Sequence, residues 1–223
     1  MTAAQPSYAA RDPAALSRAV IFWLCAHIVA TLVTLIATII DLGALTALAP
    51  QTPIDISAPP PGSNGFVDSF AAISLLVAIV GAGFLSLKWV YRVSLNAHVL
   101  GRGLRVRPPW AVGWFFVPIA SLWKPFQGLR EAWQASVRPQ AWSTVPVPSL
   151  LRWWWGLWLV EGFLQNLSLR LELRAKTADQ MITADIASLA ANLMALPLDL
   201  AFIFIVRRLC ELQLNALRTN AFA

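Results

Sequence analysis

Three ionisable side chains lie inside long apolar stretches of this sequence, where a charge is costly. His27, Glu161 and Asp199 each lie two to three helical turns from a basic residue. At about 1.5 Å of rise per residue, all three groups are expected about 12–14 Å from the basic ends of their helices. Histidines and acids inside membrane helices are typical of proton and ion pathways. The spacing therefore predicts an intramembrane polar cluster at one depth.

Amides extend this cluster along two of the helices. Gln165 follows Glu161 by one turn, and Asn192 precedes Asp199 by two turns, so each pair occupies one helix face. Such faces are incompatible with lipid and should point into a helix bundle. Two interpretations are open: the groups tie helices together at about 0.6–2 kcal/mol each, or they conduct protons or ions.

Four apolar segments are long enough to position these groups across a bilayer. They comprise residues 19–40, 70–89, 151–169 and 186–206. A signal peptide is the alternative for the first segment, but the segment exceeds the apolar core of about 7–15 residues typical of such peptides. An uncleaved anchor is therefore expected, followed by a proline- and glycine-rich loop at 58–65. The expected fold is an all-α integral membrane protein with a four-helix transmembrane bundle.

The loop between the second and third segments contains a further apolar run, Trp110–Trp123. This run is shorter than the roughly 20 residues of a crossing helix, and Pro118 interrupts it by lacking a backbone N–H. It predicts a re-entrant or interfacial segment, with a fifth crossing as the alternative. Beyond it, Phe126, Leu129 and Trp133 recur at helical spacing, which predicts an amphipathic helix at the headgroup boundary.

The sequence WAVGWFFVPIASLWKPFQGLREAWQAS at residues 110–136 resembles the signature of a bacterial membrane family, DUF4328. The matching positions that we single out in this signature loop (108–136) are Trp110, Gly113, Trp114, Pro118, Trp123, Lys124, Pro125, Gln127, Arg130, Glu131 and Trp133. Ser121 and Phe126 replace the family's usual Asn and Tyr. The resemblance implies a bacterial multi-pass membrane protein of unknown function and gives no catalytic residue.

The distribution of charge predicts orientation. Only 13% of residues are charged, about half the usual fraction of a soluble domain. Most Lys and Arg lie in the tails 1–18 and 214–223 and in the loop at 88–152, so these parts should face the cytoplasm of a bacterial cell. Residues 19–213, including this loop, are expected to form one domain of the cytoplasmic membrane. Because the basic residues flank apolar segments, the net charge of +6 does not indicate nucleic acid.

The residue pattern does not favour an enzyme. The sequence contains no nucleophile–base arrangement or phosphate loop, and its two His and two Cys lack metal-ligand spacing, so we expect no catalytic residue, metal or cofactor. One remaining function is an interaction or scaffold protein, whose signature loop contacts the lipid bilayer, anionic headgroups or a protein partner. The alternative is a small transporter or proton/ion channel that uses the polar cluster. Four spans are few for such a protein, so the alternative implies a homo-oligomer.

Overall fold

The computed structural model describes residues 8–54 and 65–221, and side chains as far as residue 219. The expected loop at 58–65 lies outside these residues except for Gly65, as do the ends of both tails. Within the described ranges there are six α-helices and no strand. The helices are α1 (Ala14–Thr46), α2 (Gly65–Leu100), α3 (Pro108–Gly113), α4 (Lys124–Val137), α5 (Ser149–Glu172) and α6 (Ala178–Ala221).

Three helices are long and apolar enough to cross a membrane: α1, α2 and residues 178–219 of α6. Each contains a predicted segment and continues past it, because a crossing requires only about 20 residues. Helix α5 has 24 residues but is not among the three. Its Glu and amide side chains lower its hydropathy. The all-helical fold is confirmed for the described residues, and three of its helices are long and apolar enough to span a membrane. The four-helix transmembrane bundle and the single domain stay predictions.

The chain forms two compact units, and the long helices contribute residues to both. The first unit contains the chain up to Phe22, residues 82–153 and residues from 201 onward. The second unit contains residues 23–81 and 154–200. The signature loop therefore belongs to the first unit, and all members of the predicted polar cluster belong to the second.

Helix α4 is largely buried in the first unit. Glu131 is 1% exposed, and its carboxylate accepts the backbone N–H groups of Arg105 and Val106 at 2.8 and 3.0 Å. Gln134 and Ser136 are buried on the same helix. The amphipathic helix is thus present where the sequence predicts it, but its polar face does not lie open. Backbone groups inside the unit supply hydrogen-bond partners for Glu131, Gln134 and Ser136.

Buried amides also join three parts of the first unit. Asn96 donates to the Arg11 carbonyl at 2.8 Å and to Gln213 Oε1 at 3.0 Å. Gln213 in turn donates to the Val93 carbonyl at 2.8 Å. Both amide residues are fully buried. These bonds link the segment before α1 to α2 and α6.

The second unit joins its two connecting segments by backbone contacts. The N–H of Ile54 donates to the Lys176 carbonyl, and the N–H of Ala178 donates to the Thr52 carbonyl, each at 3.0 Å. Next to them, a small buried core contains Leu45 of α1 and Met181 of α6. The end of α1 is therefore attached to the start of α6.

Gly81 marks a close approach between α2 and α1 within the second unit. A Cβ atom at this position would lie 2.3 Å from the Trp23 ring. A Cβ atom at Gly83, two residues later on α2, would meet nothing within 4 Å. The two glycines are thus a matched pair, one in a tight contact and one in open space.

We predict that Gly81→Ala lowers the free energy of unfolding by about 1–3 kcal/mol, because the ring must move. Gly83→Ala should leave that free energy unchanged or raise it by up to about 1 kcal/mol, because alanine favours helix. Thermal unfolding of both variants in the same detergent measures the difference. Equal stabilities would contradict the contact between Gly81 and Trp23.

Candidate functional site

The structure brings His27 and Asp199 into direct contact. His27 Nδ1 and Asp199 Oδ2 lie 2.7 Å apart, and the pair joins α1 to α6. The two side chains are 16% and 9% exposed. When the imidazole is protonated, such a contact is a charge-assisted hydrogen bond, which is stronger than a neutral one.

Glu161 is the third titratable member of the group. It lies on α5, close enough to interact electrostatically with both His27 and Asp199. Its carboxyl group also interacts with the side chain of Gln165, one turn later on the same helix. Helices α1, α5 and α6 therefore each contribute one ionisable group. We refer to His27, Glu161, Asp199 and Gln165 as the polar cluster.

Asn192 is engaged on its own helix instead. It is buried, and its Nδ2 donates to the hydroxyl of Ser188 at 3.3 Å. The two residues are one turn apart on α6, so this bond satisfies the amide within the helix. The structure thus gives four of the five predicted cluster residues mutual interactions and gives Asn192 a separate partner.

The backbone near Asp199 is unusual for a helix. Pro197 lies inside α6, two residues before Asp199. Because proline has no N–H, the carbonyl of Leu193 receives no helical hydrogen bond from it. A carbonyl without a helical donor lies one and a half turns from the His27–Asp199 contact. This adds a polar group to an otherwise apolar stretch.

A polar cleft of about 400 Å³ opens beside the cluster. Its lining residues are Gly162, Gln165, Asn166, Ser168, Leu169, Glu172 and Ser188. Because Gln165 both lines this cleft and interacts with Glu161, it connects the cleft to the cluster. The pattern-based prediction did not include Asn166. The sequence feature that could have indicated Asn166 is its position as a second amide directly after Gln165 in an apolar stretch.

A metal centre is not built from the described residues. No group of three His, Cys, Asp or Glu side chains comes together among them to hold an ion. The polar cluster contains only one imidazole and two carboxyl groups. The chemistry that this arrangement can perform is the binding and transfer of protons.

The signature loop has a buried part and an exposed part. Pro125, Glu131 and Trp133 are buried in α4, whereas Pro118 and Trp123 are exposed. Gly113, Trp114, Lys124, Gln127 and Arg130 are half-buried. The Lys124 ammonium lies 5.7 Å from the centre of the Trp114 ring, in a cation–π contact. Gln127 donates to Glu131 at 3.2 Å.

The run Trp110–Trp123 does not form one helix. Helix α3 gives way to 3₁₀ turns at Trp114–Phe116 and Ala120–Leu122. Between these turns, Ile119 has a φ of 66°, a left-handed conformation that is rare for a β-branched residue. Pro118 and this conformation together prevent a continuous helix. The run is therefore too irregular to cross a bilayer as a single helix.

A set of large apolar side chains in this run is exposed. Phe116 and Ile119 are each 71% exposed, and Leu122 is 51% exposed. Trp110 and Trp123 are each 49% exposed. We call these five residues the apolar ridge. It projects from the same loop whose following helix, α4, is buried, so the ridge is attached to a well-packed base.

The model of one protein family matches most of the chain. Its description is Domain of unknown function (DUF4328), and the match covers residues 62–211. It includes the whole signature loop, Glu161 and Asp199, whereas His27 lies before it. No curated protein and no solved structure matches this sequence.

The His27–Asp199 contact predicts a measurable coupling. His27→Leu and Asp199→Leu should each lower the free energy of unfolding by about 1–3 kcal/mol, because each leaves a buried partner unpaired. The double variant should lose less than the sum, with a coupling of about 0.6–2 kcal/mol. Thermal unfolding in detergent supplies all four free energies.

The control cycle for this coupling combines His27→Leu with Asp179→Leu. Asp179 is an exposed acid in the first turn of the same helix, so its effect should add to that of His27→Leu. Simple additivity in the His27–Asp199 cycle would contradict a stabilising bond between these side chains.

Proposed function

The chain belongs to the DUF4328 family, as its signature loop indicated, and we propose that it carries protons or ions across a membrane. The observation that supports this proposal is the hydrogen bond between His27 and Asp199, two titratable groups on helices apolar enough to span a bilayer. Ionisable groups at such positions are costly and often belong to transport pathways.

We place four crossings in the membrane, with α5 as the third. Its 24 residues extend about 36 Å, which exceeds the roughly 30 Å of the hydrocarbon core. Because basic residues flank the apolar segments, we propose that both termini and the signature loop face the cytoplasm of a bacterial cytoplasmic membrane. The polar cluster then lies within the hydrocarbon region.

The proposed proton path begins at the polar cleft. Its amide, hydroxyl and carboxyl groups favour water, and Gln165 leads from them to Glu161. Because His27 Nδ1 faces Asp199, Nε2 is the ring nitrogen that can accept a proton from Glu161. Accepting it leaves a Glu161 carboxylate and an imidazolium. The imidazolium then passes its Nδ1 proton to Asp199, which restores the neutral ring.

Four crossings provide little room for a complete pathway in one chain. Transport through such a small bundle therefore implies a homo-oligomer. In that assembly each copy would contribute one His27–Asp199 pair. The cleft beside Gln165 would serve as its entrance from the side opposite the termini.

Proton flux into proteoliposomes tests this function. Vesicles that contain the protein and a pH-sensitive dye should acidify when a proton gradient is applied. A Glu161→Gln, Asp199→Asn double variant should lose flux by about tenfold or more, because it removes two transferable protons. Asp179→Asn, an exposed acid on the same helix as Asp199, is the matched control and should retain the flux. Parent vesicles that stay proton-tight across the pH range would rule out the proposal.

The apolar ridge favours a second candidate function, that of a membrane interaction protein. Its five exposed apolar side chains belong to the same loop as the cation–π contact of Lys124 with Trp114. Aromatic and basic side chains in this combination are typical of the headgroup boundary. We propose that the ridge inserts into the cytoplasmic leaflet and there contacts lipid or another membrane protein.

Depth-dependent fluorescence quenching tests the position of the ridge. On a Cys25→Ala, Cys210→Ala background, a fluorophore on Ile119→Cys should be quenched by lipids that carry a nitroxide on the acyl chain. A fluorophore on Gln140→Cys is the control, because Gln140 is exposed in the same connection but outside the ridge. Quenching of the label at position 119 only by a water-soluble agent would show that the ridge does not enter lipid.

A further inference from the structure

A second cleft lies in the first unit, between the first turns of α1 and the last third of α6. Its volume is about 410 Å³. The residues that matter for its chemistry are Ser17, Arg18 and Ile21 from α1, and Arg207, Cys210 and Glu211 from α6. Neither the polar cluster nor the signature loop contributes to it.

The charges around this cleft favour an anion. Arg18 and Arg207 are both exposed, and neither has a carboxylate partner among the residues that the structure describes. Glu211 also borders the cleft, but it is paired with Arg208 at 3.2 Å. The carboxylate is therefore partly neutralised, and two guanidinium groups remain for a ligand. Guanidinium groups match phosphate oxygens in charge and in geometry.

A buried hydroxyl adds a hydrogen-bond donor. Ser17 is 3% exposed, and its oxygen accepts the indole N–H of Trp89 at 3.0 Å. Within residues 8–54 and 65–219, this hydroxyl donates no hydrogen bond of its own, so its proton is available to a ligand. The bond to Trp89 holds the hydroxyl in place. A phosphate oxygen in the cleft would supply the missing acceptor.

Apolar side chains complete the lining of the cleft, and an exposed aromatic residue follows it on α1. Ile21 lines it, and the neighbouring Phe22 is 67% exposed. A free phosphate ion gains nothing from such a surface. A phospholipid, in contrast, presents a phosphate with acyl chains directly below it. The combination of two arginines above and apolar side chains below suits a lipid better than a soluble anion.

We propose that this cleft binds the phosphate of an anionic phospholipid from the cytoplasmic leaflet. Arg18 and Arg207 hold the phosphate oxygens, Ser17 donates to one of them, and the acyl chains lie along Ile21 and Phe22. Basic pockets between membrane helices on the cytoplasmic side recognise lipid headgroups in this way. The inference rests on the membrane topology of the proposed function but not on proton transport.

Lipid selectivity of the full-length protein tests this site. The protein is placed in nanodiscs of phosphatidylcholine with and without phosphatidylglycerol, and bound lipid is identified by native mass spectrometry after mild detergent extraction. We expect retained phosphatidylglycerol and a higher melting temperature in its presence. Arg18→Gln, Arg207→Gln should reduce retention by roughly tenfold, because it removes charge-assisted bonds. Arg18→Lys, Arg207→Lys should keep part of the phosphatidylglycerol retention, because the positive charges remain.

The matched control is Arg218→Gln, which removes an exposed arginine in the last turn of the same helix that does not line the cleft. It should retain phosphatidylglycerol. Equal retention by the parent and the Arg18→Gln, Arg207→Gln variant would overturn the site, as would equal loss in Arg218→Gln. Stabilisation by inorganic phosphate alone, without lipid retention, would also overturn it. Release of the protein from membranes by alkaline carbonate would instead overturn the membrane topology on which the site depends.

Discussion

Buried polar groups on the long helices are costly unless they find partners inside the protein, because neither lipid nor an apolar core supplies them. This constraint accounts for the longest-range side-chain contacts in both units. Asn96 bonds Gln213 in the first unit, and His27 bonds Asp199 in the second. Each contact joins residues more than a hundred positions apart in the sequence. Since apolar side chains pack with little directional preference, these bonds fix which helix faces meet.

The same constraint explains the composition of the signature loop. An unpaired Glu131 would be costly in the interior. Its carboxylate accepts the N–H groups of Arg105 and Val106, and these bonds hold the segment before α3 against α4. Pro125 begins the helix, where its missing N–H is harmless. Much of the signature therefore maintains the fold. The apolar ridge is exposed, whereas much of α4 is buried, so the distinctive sequence as a whole is not a binding surface.

The sequence predicts the long helices well, because apolar length marks them. It also shows how far His27 and Asp199 lie along their helices from the basic ends. It does not predict rotation, and contact between His27 and Asp199 depends on the rotation of α1 and α6. The burial of α4 could not be predicted from the sequence either. A periodic pattern with Gln127 and Glu131 opposite Leu129 and Trp133 looks amphipathic whether its polar face meets water or backbone N–H groups. Only tertiary contacts distinguish these cases.

The polar cluster differs from the other buried polar contacts in one physical respect. Glu131 and Asn96 bond backbone groups and amide side chains, which do not exchange protons at ordinary pH, so their bonds serve the fold. His27 and Asp199 bond each other, and both can titrate. They also interact electrostatically with Glu161, whose neighbour Gln165 borders a polar cleft. A purely structural pair gains nothing from such access, because water competes for its hydrogen bond. The cleft is therefore the feature that favours proton exchange over simple helix attachment at this site.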